Sequence, residues 1–119
     1  MSMNITLNHE MHLYDKPFEK IKSGEKTIEL RLNDEKRRKI NIGDTITFSN
    51  KDKGKITVKV TALHKFPNFE ELFDALPLEK CGYNSQSIKS ASPNDMLKYY
   101  SKEAIKKYGV VGIEIELIQ

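Results

Sequence analysis

Lys26, Thr27, Glu29 and Arg31 stand close together in the stretch GEKTIELRL, Gly24 to Leu32. An ammonium group, a hydroxyl, a carboxylate and a guanidinium within one strand length are enough to surround a small polar ligand. The planar fork of arginine suits a phosphate or a carboxylate. A lysine held beside other cations or away from water loses its proton more readily, and can then act as a base or nucleophile. A neighbouring glutamate can orient it or move a proton. The same letters also describe a Glu–Arg pair on the wet face of an ordinary sheet, worth about 0–1 kcal/mol. Spacing alone favours that plainer reading.

The elements around these residues decide where they point. In KTIELRL the polarity alternates with a period of two, so Ile28, Leu30 and Leu32 face one way and Thr27, Glu29 and Arg31 the other. This is a strand. Ahead of it, DKPFEKIKSG reads as a short helix, with Asp15 as N-cap, Pro17 in the first turn, Phe18 and Ile21 on one face and Gly24 as the stop. ITLNHEMHLY alternates as an earlier strand, with Ile5, Leu7, His9, Met11 and Leu13 on one face. After the polar strand, NDEKRRKINIGD carries turn residues at both ends and a basic crest between them. If the crest lies at the same mouth as the polar face, Lys36, Arg37 and Arg38 form a phosphate-attracting rim.

TITFSN and KITVKVTALHKF are strands joined by a DKG turn that needs Gly54 at positive φ, with Ile56, Val58 and Val60 facing inward. PNFEELFDAL is a short helix capped by Asn68, with Phe69, Leu72 and Phe73 on one face. PLEKCGYNSQSIKSAS is a long irregular loop. SPNDMLKYYSKEAIKKYG is the strongest helical pattern, capped by Ser92, with Pro93 in its first position and Gly109 as its stop. VVGIEIELIQ is the last strand, with Val111, Ile113, Ile115 and Leu117 on one face. Strands joined mostly by tight turns do not alternate with long helices as a doubly wound sheet requires. The expected class is α+β: a small, mixed, mostly antiparallel and partly open β-barrel, covered by two to three short helices. Residues 1–119 are expected to form one domain.

Composition removes several function classes. The chain is 38% hydrophobic and 31% charged with a net charge of +3, the balance of a soluble globule that tolerates nucleic acid as a partner without demanding it. No segment approaches the roughly 20 apolar residues of a membrane span, and MSMNITLNHE lacks the basic patch and apolar run of a secretory signal. A cytoplasmic monomer without a membrane partner is expected. The lone Cys81 forms no internal disulfide, and no histidine or carboxylate stands at catalytic spacing from it, so it reads as a bystander thiol. His9 and His12 are three apart on a strand and face opposite sides, so with His64 they make no metal signature. No metal and no cofactor are expected. The phosphate-cradling glycine motifs are absent too. Tyr83, Tyr99, Tyr100 and Phe66 are available as stacking surfaces.

Pro17-Phe18, Ile21, Gly24 and KTIELR, followed by IGD at Ile42–Asp44, ITF at Ile46–Phe48 and the Tyr108-Gly109 stop, resemble the ASCH domain, a small relative of the PUA fold. The resemblance spans nearly the whole chain and rests on the combination, each piece being weak alone. It implies a PUA-like β-barrel with a cleft where the KTIELR strand meets a helix and a loop, and binding of RNA or nucleotides. Some small bacterial members are amidohydrolases that remove the acyl group from N4-acetylcytidine, and ribonuclease activity is attributed to others. In the amidohydrolases the lysine of G-x-K-T is the expected base, which corresponds to Lys26. A threonine three residues on is the expected nucleophile, and here that position is Glu29, a group that does not simply replace a hydroxyl in acyl transfer. The family's glutamate before the last helix has no clear counterpart in SPNDM, which offers Asn94 and Asp95. The leading expectation is therefore recognition of RNA, a nucleotide or a modified nucleoside in a cleft floored by Lys26, Thr27, Glu29 and Arg31. In that scheme Lys36, Arg37 and Arg38 hold phosphate, and Glu29 accepts hydrogen bonds from a base edge or sugar hydroxyl. The alternative is hydrolysis of an N4-acylated cytidine-type nucleoside, with Lys26 and Glu29 activating a water.

Overall fold

The computed structural model describes residues 5–118. In chain order its regular elements are β1 (Asn8–His12), α1 (Asp15–Ser23), β2 (Ile28–Leu32), α2 (Glu35–Arg38), β3 (Thr45–Asn50), β4 (Gly54–Phe66), α3 (Phe69–Ala75), α4 (Lys102–Tyr108) and β5 (Val110–Leu117). The strands form one five-stranded sheet in the order β1-β3-β4-β5-β2. β1 runs parallel to β3 and the other three pairings are antiparallel. A register slip between Val60 and Ala62 bends the long β4, which carries β3 on one side and β5 on the other. The sheet curls into a half-barrel whose open edges are β1 and β2. This is the mixed, partly open PUA-like architecture expected from the pattern of short strands and turns.

Two apolar clusters hold it together. Phe18 and Ile21 of α1 pack with Met11, Phe48, Val58 and Ile113. Ile28, Leu30 and Leu32 of β2 pack instead with Phe69 and Leu72 of α3 and with Val110. Each of these side chains leaves water almost entirely, a gain of about 1.5–3 kcal/mol apiece before chain entropy is subtracted. No described helix is long and apolar enough to cross a membrane.

Four local expectations need correction. Asp15 is not the N-cap of α1: Tyr14 is, without a side-chain cap bond, and Asp15 lies in the first turn, where its carboxylate accepts from Asn50 Nδ2 at 2.9 Å. The basic crest is not a plain turn, because Asp34 accepts from Arg37 N at 3.0 Å and starts the single helical turn α2. The long helix expected from Ser92 to Gly109 is broken. A 3-10 segment covers Pro93–Lys98, and α4 starts afresh after Ser101, whose hydroxyl accepts from Ala104 N at 3.1 Å. Finally, Ile5, Leu7 and Leu117 lie 77%, 49% and 42% exposed, because Ile5 and Leu7 precede β1 and Leu117 is the last residue of β5.

Candidate ligand cavity

β2 is the floor of the site. Unlike a wet-faced strand it is covered on both sides, and Glu29 is only 4% exposed. Lys26 Nζ lies 2.7 Å from Glu29 Oε1, and Arg31 Nε donates to Oε2 at 2.8 Å. Burial pushes the Glu29 carboxyl up, but the charges of Lys26 and Arg31 and the hydrogen bonds they donate outweigh it, so the group sits below its ordinary 4.5 and is firmly ionised. Both carboxylate oxygens are engaged. Glu29 therefore works as a clamp that holds two cations still, leaving Lys26 and Arg31 with further N–H groups to offer.

The flanking segments fix that clamp. Arg31 Nη2 donates to the His12 carbonyl at 2.8 Å, tying the end of β1 to β2 across the open side of the half-barrel. Lys26 N donates to Lys20 O at 3.0 Å, and Thr27 N donates to Lys80 O at 2.9 Å. Lys20 Nζ in turn donates to the Gly82 carbonyl at 2.6 Å, so α1 and the turn Leu78–Cys81 are joined over the floor. Gly82 has φ of 108°, and a Cβ there would stand 3.3 Å from Lys26 Cδ. Backbone and lysine stem both favour glycine at that position.

The cavity, open on one side to solvent, has a volume of about 650 Å³, within the range of small-molecule sites. Tyr83, Tyr99, Tyr100 and Asp95 form the far wall, from the stretch that the sequence presents as a loop and a helix. Tyr83 Oη donates to Asp95 Oδ2 at 2.8 Å, and Ser92 N donates to the same oxygen at 3.1 Å. Burial and the adjacent Asp95 push the Tyr83 phenol well up, so it stays a neutral donor. Tyr100 stacks on the buried Phe69, with centroids 6.2 Å apart and planes 16° from parallel. Cys81 also lines the cavity, and burial pushes its thiol up to about 11. It stays protonated at neutral pH and is a wall rather than a nucleophile. Among the described residues no group of three or more His, Cys, Asp and Glu is arranged to hold a metal ion.

Of the residues singled out in the sequence, Lys26, Glu29 and Arg31 converge here, and so do Tyr83, Tyr99 and Tyr100. Thr27 does not line the cavity; its backbone links Lys80 and Ile115. Phe66 packs in the cluster around α3. Lys36, Arg37 and Arg38 lie outside as well. Lys36 Nζ donates to Glu10 O at 2.6 Å, Arg37 Nη1 sits 3.3 Å from Asp34 Oδ2, and Arg38 donates to the carbonyls of Asn33 and Tyr108. The cations that do stand round the cavity are Lys16, Lys20 and Lys98, which the strand pattern does not point to. The signal for two of them was available: Lys16 and Lys20 are four apart on the predicted helix, and so share a face.

A curled, partly open half-barrel of this topology is PUA-like. The sequence profile of the ASCH domain matches residues 11–119, and the chain belongs to that family. Two solved structures are similar over nearly their full lengths. The crystal structure of hypothetical protein PH0355 is 40% identical with a TM-score of 0.81, covering 93% of this chain and 99% of that one. The solution NMR structure of protein PF0455 from Pyrococcus furiosus is 39% identical with a TM-score of 0.73, covering 94% of this chain and 98% of that one. A search of curated proteins gives no match.

Proposed function

We propose that this ASCH domain binds a nucleotide, free or within an RNA strand, with the base inside the cavity and the phosphate at its mouth. The observation that carries this is the buried Glu29, which holds Lys26 and Arg31 rigid as donors at the floor of a tyrosine-walled space. A nucleobase offers the three features such a space complements. Its carbonyl or ring-nitrogen acceptors meet Lys26 and Arg31. Its π-face meets Tyr83 and Tyr100. Its amino group meets Asp95 Oδ1, which carries no hydrogen bond among the described residues. The phosphate faces the lysines of the mouth, among them Lys20, where a charge-assisted contact is favourable. Lys36, Arg37 and Arg38 lie outside the cavity and are not needed for a single nucleotide.

Calorimetric titration with nucleoside monophosphates and with short single-stranded RNA tests this at about 50 and 200 mM salt, concentrations between which phosphate contacts lose much of their strength. Wild-type protein is expected to bind and to weaken with salt. Lys26→Ala is expected to bind at least about tenfold more weakly, in line with the loss of one charge-assisted hydrogen bond. Arg37→Ala is expected to match wild type with a monophosphate. Equal, salt-insensitive binding of wild type and Lys26→Ala would sink the proposal.

Hydrolysis of an N4-acylated cytidine is the second reading, favoured by Lys26, Glu29 and Asp95 all lining one cavity. Binding is preferred because a carboxylate whose pKa is held down is a weak base. Incubation with N4-acetylcytidine and separation of the products decides between them; the expected result is no cytidine released, and release abolished by Lys26→Ala would reverse the preference.

A further inference from the structure

Tyr14 and Tyr99 stand at the lip of the cavity, 66% and 55% exposed. Their ring centroids are 6.1 Å apart and their planes 34° from parallel. Rings at this separation pack as an aromatic pair, and their exposure leaves ring surface open to solvent at the lip. Both sit where a local rule is broken. Tyr14 occupies the N-cap of α1 and makes no cap bond, at a position where Ser, Thr, Asp or Asn would satisfy an orphan N–H. Tyr99 falls in the interruption between Pro93–Lys98 and α4, which the surrounding helical pattern would not predict. Its ring lies 6.4 Å from Tyr100, which is itself stacked on Phe69, so the exposed ring is held in place from the core outward. Beside the two rings are Lys16 and Lys98, both exposed, both lining the cavity, and neither paired with a carboxylate among the described residues.

We infer that this lip is a second, base-stacking subsite, and that the preferred ligand is a dinucleotide step of single-stranded nucleic acid rather than a free nucleoside. One base enters the cavity. The phosphodiester that follows passes Lys16 and Lys98, and the next base stacks on the exposed ring surface of the Tyr14–Tyr99 pair. Stacking on an aromatic accepts any base, so this subsite adds affinity without reading sequence. The unpaired lysines beside the rings favour a polyanion over an apolar peptide as the occupant. The inference rests on the reading of the cavity as a nucleotide site.

The test compares a 5′-phosphorylated dinucleotide with the same molecule lacking its second base, which keeps both phosphates and both sugars. Wild-type protein is expected to bind the complete dinucleotide about 5- to 150-fold more tightly, the worth of one stacked base. In the pair Tyr14→Ala and Tyr99→Ala the ratio should fall to near one, while Tyr14→Phe with Tyr99→Phe should keep it. A wild-type ratio near one with the abasic ligand still bound would overturn the second subsite and leave the cavity reading standing. A ratio that survives in the alanine pair would overturn it too. Failure of wild type to bind either ligand would overturn the nucleotide reading of the cavity, and the second subsite with it.

Discussion

Glu29 is the residue on which the site turns. It is an anion taken out of water, and it remains one because Lys26 and Arg31 come with it. Its folded pKa lies below the ordinary 4.5, so it contributes stability that is fully present above that value and is lost as pH falls through the folded pKa. Wild-type protein should therefore lose stability on acidification below about pH 4.5. Glu29→Gln should be less stable at pH 7 by about 3 kcal/mol, because it leaves two partly buried cations unpaired, and its stability should depend less on pH in the acid range. Chemical denaturation at several pH values checks both, and an unchanged acid slope in the variant would contradict the assignment. The alternation of Ile28, Leu30 and Leu32 against Glu29 and Arg31 was legible in the sequence, and so was the chemistry those side chains can do. That the polar side would be covered was not. Its cover comes from Cys81, Tyr83, Asp95 and Tyr100, more than fifty positions further along the chain, and no local period carries that information.

At the scale of elements, the site is shaped by interruptions. The stretch from Ser92 to Gly109 has the composition of one helix, yet it folds as two pieces because it contains two caps. Ser101 starts the second piece, and the break before it turns Tyr99 and Tyr100 toward the cavity. Ser101→Ala should cost about 1 kcal/mol through the lost cap. Thermal melting checks the loss; no change in midpoint would mean that α4 does not depend on this cap. The turn at Gly82 is a second such point. Gly82→Ala puts a Cβ in the left-handed region and against the stem of Lys26, and should cost about 1 kcal/mol or more while pressing on the lysine that contacts Glu29. Weaker nucleotide binding along with the lost stability is the expected signature. The strands, the turn at Gly54 and the caps at Asn68 and Gly24 follow from local chemistry and were legible for that reason. The Ser101 cap is hidden in the sequence because the helical period runs straight through it.

Across the whole molecule, the two apolar clusters divide the labour. One lies under α1 and the other under α3, and the cavity opens where α1 and the segment from Leu78 to Tyr100 approach each other above β2. Its floor is bonded on one side to β5, the strand that also pairs with β4. The amides through which β2 and β5 bond to each other should accordingly exchange with solvent only through global unfolding, whereas those of the loop between Asn84 and Ser90, held mainly by local turn bonds, should open far more easily. Native-state hydrogen exchange resolves the two classes, and uniform protection would show that the far wall is as firmly held as the floor.

The pairing of β2 with β5 also has a meaning in time. Ile28 lies opposite Glu114 and Leu32 opposite Val110, so the strand bearing Glu29 waits for a partner made roughly eighty residues later. Contacts so distant along the chain are slow to close. While β5 is still inside the ribosome, β2 has no strand to pair with. The floor of the pocket is therefore a complete part of the sheet only once the last strand has been added.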